Sequence, residues 1–133
     1  MNDKDKLITH ALKTSCEIYN ANKKFVTSNK NRHSSTIKAK RMFLYYLYEY
    51  LGIKHNAMKK YIKNLHHASS IHHVNKFKFE KDNYDDVKKS HNKFIIEMRR
   101  FNLYGWKFYE KRMEIKNLLN ELNNFKDEKN KNN

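Results

Sequence analysis

Apolar positions recur along this chain at helical spacing, and polar breaks divide them into separate stretches. Leu7, Ile8, Ala11, Leu12, Ser15, Ile18, Tyr19, Asn22 and Phe25 predict one amphipathic packing helix from Lys6 to about Phe25, with Asn2 or Asp3 as its cap. The next segment, TSNKNRHSS (27–35), has no apolar anchor and predicts a basic loop bearing Lys30, Arg32 and His33. From Thr36 the pattern sharpens. Ala39, Met42, Phe43, Tyr46, Leu47, Tyr50 and Leu51 define a helix over 36–51, and Gly52 stands where a helix-ending glycine belongs. Tyr45 and Tyr48 fall beside the stripe and are expected to touch flanking helices.

Beyond Gly52, Asn56 can cap a short helix over 56–63, with Ala57, Met58, Tyr61 and Ile62 inside, Lys59, Lys60 and Lys63 outside, and Asn64 at its end. After a turn at Leu65 and His66, a helix over 67–77 turns Ile71 and Val74 inward and leaves Ser69, His72, His73 and Lys76 on outward or flanking positions. Two short helices with a tight polar turn after a scaffold helix have the form of a helix-turn-helix. Val87, His91, Phe94, Ile95, Met98 and Phe101 then mark another helix, opened by Asp85 and Asp86. A bend is expected around 102–105. Trp106, Tyr109, Met113, Ile115, Leu118, Leu119, Leu122 and Phe125 continue as a last helix, or as an extension of the previous one if Gly105 does not break the chain. The predicted organisation is an N-terminal helix (1–27), a basic loop with a helix-turn-helix core (28–79), C-terminal helices (80–126) and a disordered tail (127–133).

Composition narrows the picture. A chain of 133 residues with no proline and two glycines lacks the turn residues of a sheet-rich fold, so an all-α single domain is predicted. The net charge of +15 exceeds what solubility needs and points to a polyanionic partner, although part of the lysine excess fits the amino-acid bias of an AT-rich genome. Lys38, Lys40 and Arg41 sit near a helix start, where the dipole disfavours cations, which suggests that something else holds them. Cys16 is the only cysteine, so no disulfide framework forms and a reducing compartment fits. With no signal-peptide core and no run of apolar residues long enough to span a bilayer, the expectation is a soluble cytoplasmic protein without a membrane partner.

Catalytic and metal chemistry is not expected. His66, His67, His72 and His73 lack the i, i+4 spacing that places two imidazoles on one metal. Ser69 and Ser70 have only His72 and Asp85 or Asp86 nearby and no oxyanion loop. No enzyme activity, cofactor, metal or small-molecule substrate is therefore predicted.

The central third of the chain resembles the C-terminal DNA-binding domain of the bacterial replication initiator DnaA, a helix-turn-helix of the Trp-repressor type. The stretch NRHSSTIKAKRMFLYYL is similar to that family's basic loop and scaffold helix, and LHHASSIHHVNK to its signature helix. By this resemblance Arg32 enters the minor groove, with Lys30 and His33 beside it, and Lys40 stands where the family has a phosphate-contacting arginine, next to Arg41. His67, Ala68 and Ser69 match the start of the recognition helix, Ser70 takes the place of a valine, and His72 and Lys76 match the second histidine and last lysine. His73 replaces a small alanine. Leu65 and His66 stand where the family has Arg and Asp, which implies an altered sequence preference and the loss of a good N-cap. No GxxxxGK[ST] loop is present, so the initiator's ATP-binding domain has no counterpart.

The resemblance implies a stand-alone double-stranded DNA-binding protein, in phage or mobile-element replication or transcription control, acting in a bacterial host cell. Homodimerisation through the C-terminal helices is a further expectation. The competing readings are a helical protein–protein interaction module and an RNA-binding protein, in each of which the basic face only assists.

Overall fold

A computed structural model describes residues 3–30, 32–101, 111 and 113–125. Among them every regular element is helical: α1 (Asp3–Tyr19), α2 (Lys23–Ser28), α3 (Ser34–Glu49), a 3₁₀ segment (His55–Lys60), α4 (His67–Asn83), α5 (Asp85–Phe101) and a helix over 113–125, here α6.

The predicted first helix is two helices. Asn20 takes a left-handed conformation (φ 53°), and the Asn22 side chain accepts a 2.8 Å hydrogen bond from the Lys24 N–H, starting α2 in a new direction. Asn29 (φ 61°) ends α2 in the same way. Asparagine tolerates the left-handed region better than other side chains, so these breaks need no glycine. Asn22 is thus a cap rather than a stripe position, and Phe25 is exposed while its neighbour Val26 fills the core. The polar loop shortens to 29–33.

α3 is the centre of the fold. Met42, Phe43, Leu44, Tyr45, Tyr46 and Leu47 are consecutive and all buried, because α1, α2 and α4 pack around the helix. A helix apolar on all sides must be enclosed. It ends at Glu49, and Gly52 (φ 69°) turns the chain just beyond it, where the Ile53 N–H reaches back to Leu47 O at 3.0 Å. Tyr45 packs its ring on Phe77 of α4 (5.0 Å between centroids) and His91 of α5 (5.5 Å), as its off-stripe position led one to expect. α5 lies against α1 and α4, sending Val87, His91, Phe94 and Met98 inward.

Residues 56–63 do not form the expected α-helix. A 3₁₀ turn over His55–Lys60 places Met58 and Ile62 in the core, and Asn64 (φ 58°) turns the chain into α4. α4 runs past its expected end at 77 and continues to Asn83. Val74 is buried as expected, but Ile71 is exposed, and Ser70 and Phe77 complete the buried side. The expected bend at 102–105, Trp106, Tyr109 and the tail lie outside the described residues. Among the described residues no helix is long and apolar enough to cross a membrane.

Candidate nucleic-acid interface

The N-terminal half of α4 is built from two sides. Leu65 is buried and anchors the preceding turn, while the Nδ1 of His66 accepts a 3.1 Å hydrogen bond from the Ala68 N–H. Leu65 and His66 thus supply an anchor and a cap, so the departure from an Arg-Asp pair leaves the helix start capped by an imidazole. On the inner side, Ser70 is fully buried and shares a 2.8 Å hydrogen bond with Nδ1 of His55, whose ring stacks on Tyr48 (4.3 Å between centroids). Burial and the neighbouring His67 hold the His55 pKa below its usual value. This contact clamps the 3₁₀ segment to α4.

A second clamp joins α3 to α4. The Arg41 Nε–H donates to His73 Nδ1 at 3.3 Å, and the Arg41 guanidinium pairs with Glu80 at 3.2 Å. Burial, with Lys40, Arg41 and His72 nearby, lowers the His73 pKa to about 4, so the ring is neutral and free to accept. The Nζ of Lys40, itself buried, donates to Asn29 Oδ1 at 2.8 Å. Burial lowers its pKa, with Arg41 contributing.

These contacts correct four of the sequence expectations. Ser70, Lys40, Arg41 and His73 were placed on a DNA-facing surface; Ser70 and Lys40 are buried, and Arg41 and His73 are engaged in the joint between α3 and α4. The cations at the start of α3 are indeed held by something other than the dipole, but by Asn29, His73 and Glu80 of the chain itself.

The remaining candidates are all exposed. His67, Ala68, Ser69, His72 and Lys76 are exposed on α4, and Lys30, Arg32 and His33 are exposed in the loop before α3. Asn75, which the sequence pattern did not single out, stands on the outer face of α4 between His72 and Lys76. The turn before α4 is tied to the last turn of α2, just ahead of the loop, since the Lys63 N–H donates to Thr27 O at 2.8 Å. Lys63 and its neighbours Lys59 and Lys60 are exposed. An open depression of about 650 Å³, lined by Asn56, Lys59, Lys63 and Asn64 on one side and Leu65, His66 and His67 on the other, lies at the positive end of α4. Paired histidine rings stand at 66/67 (4.5 Å) and 72/73 (5.7 Å), and no three potential ligands among the described residues gather into a metal-holding group. The arrangement offers hydrogen-bonding side chains on one helix face, flanked by lysines.

No family model, no curated protein and no solved structure matches this chain.

Proposed function

We propose that the protein binds double-stranded DNA, with the N-terminal half of α4 in the major groove in the manner of a DnaA-like helix-turn-helix. The observation that carries this reading is the exposed row on α4: Ala68, Ser69, His72, Asn75 and Lys76, bordered by the depression with Lys59 and Lys63. Recognition helices present their N-terminal residues to base edges while the preceding element meets the backbone. Ser69 suits several bases, Asn75 suits the two hydrogen-bonding groups of an adenine edge, and Ala68 suits a thymine methyl. Lys59, Lys63 and Lys76 meet phosphates, and Arg32 extends from the linked loop toward the adjacent minor groove. The 3₁₀ segment takes the place of the first α-helix of the motif. A role in the replication or transcription of a phage or mobile element follows from the same reading.

The test is duplex binding measured by fluorescence anisotropy at several salt concentrations. Arg32→Ala combined with Lys76→Ala should weaken binding and reduce the slope of log affinity against log salt by about two units. An unchanged affinity and slope would remove this geometry, and a preference for single-stranded or duplex RNA would replace the DNA reading.

A further inference from the structure

We infer that the apolar face of α6 is a homodimer interface, occupied by the same helix of a second copy of this chain. In α1 through α5 most apolar side chains are in the core, whereas Ile115, Leu118, Leu119, Leu122 and Phe125 are all 49–61 % exposed within thirteen residues. A helix of this length is marginal in water without something packed on it. Ile115, Leu118, Leu122 and Phe125 follow the 3-4-3 spacing of coiled-coil a and d positions, with Leu119 widening the seam at e.

Charge selects the occupant. On a chain of net charge +15, α6 carries Lys116 against Glu114 and Glu121, and its remaining polar positions are Asn117, Asn120, Asn123 and Asn124. Helices that lie on anionic membrane line their polar face with lysine and arginine, and nucleic-acid contacts need the same cations. α6 lacks them. An acidic protein partner finds no complementary charge here either. A second copy presents an identical, near-neutral apolar seam, so two strongly basic chains can meet here without bringing cations together, and a two-fold axis makes the contact self-complementary. Pairing these side chains removes roughly 1,000 Å² from water in total, the size at which specific interfaces begin.

The inference stands apart from the DNA reading, because its test contains no nucleic acid. Sedimentation velocity of the full chain in high salt, from low micromolar to submillimolar concentration, should show a monomer–dimer equilibrium. Leu118→Gln with Leu122→Gln keeps the charge and the helix propensity, and should leave a monomer at every concentration, with helical circular dichroism reduced by no more than the thirteen residues of α6. A wild-type chain that stays monomeric overturns the inference, whether the face then proves to bind neutral lipid vesicles or to fold onto its own chain. A dimer that persists in the double variant overturns the assignment to this face.

Discussion

Ser69 and Ser70 are neighbours of identical chemistry that α4 sends in opposite directions, one to solvent and the other to His55 in the core. Ser70→Ala should lower unfolding free energy by about 1 kcal/mol, because a buried hydrogen bond is lost and His55 keeps no partner for its Nδ1. Urea denaturation measures that loss. Ser69→Ala should leave the urea midpoint in place and instead weaken duplex binding in the anisotropy assay, with a change in which bases are preferred. The histidines permit a second test at this scale. His73 and His91 are both depressed to about 4, chiefly by burial; His73 faces Lys40, Arg41 and His72, while His91 is near Lys81 and hydrogen-bonds to Tyr50 at 3.3 Å. The unfolded chain binds protons at these sites near pH 6.5 and the folded chain does not, so their contribution is whole above that pH and is lost as pH falls toward 4. The urea midpoint should therefore fall between pH 6.5 and 4, and His91→Gln should make that fall shallower.

At the scale of elements, the bond between Lys63 and Thr27 ties the turn after the 3₁₀ segment to the end of α2, which leads into the basic loop. Lys59→Glu with Lys63→Glu should reduce duplex affinity strongly and take about two units from the salt slope. Lys88→Glu with Lys89→Glu changes the net charge equally on exposed positions of α5, and its effect should be much smaller. Equal losses from the two pairs would mean that charge alone, without this surface, drives binding. The same elements mark what periodicity reveals. α3 and the inner side of α5 are legible because their apolar side chains repeat with the helical period and their ends carry Gly52 and the pair Asp85 and Asp86. The division of α1 from α2 is not, because Asn20 and Asn22 read equally well as polar interruptions of one helix. Nor are the burial of Ser70 and Lys40 and the half-burial of Arg41, since serine and cations normally mark a wet face and only the contacts with His55, Asn29 and Glu80 reverse that assignment. The exposed row on α4 is partly legible: the resemblance points to His67, Ala68, Ser69, His72 and Lys76, while Asn75 emerges only when the helix is placed against its neighbours.

At the scale of the whole molecule, the proposed interface and α6 divide the work between cationic and near-neutral surfaces. A chain with net charge +15 repels its own copies at low salt, and a polyanion that neutralises lysines on both relieves that repulsion. If α6 pairs two chains and each offers one α4 to the groove, a duplex with two half-sites meets about twice as many lysines as a duplex engaged by one chain. Each phosphate neutralised adds about 0.9 to the slope of log affinity against log salt. Wild-type protein on a two-site duplex should therefore show about twice the slope of Leu118→Gln with Leu122→Gln, whereas on a duplex long enough for a single site the two proteins should have equal slopes. Because both substitutions preserve charge, a slope difference reports assembly and not lost cations. Equal slopes on both duplexes would mean that chains paired through α6 do not place their α4 helices on one duplex, even where sedimentation shows a dimer.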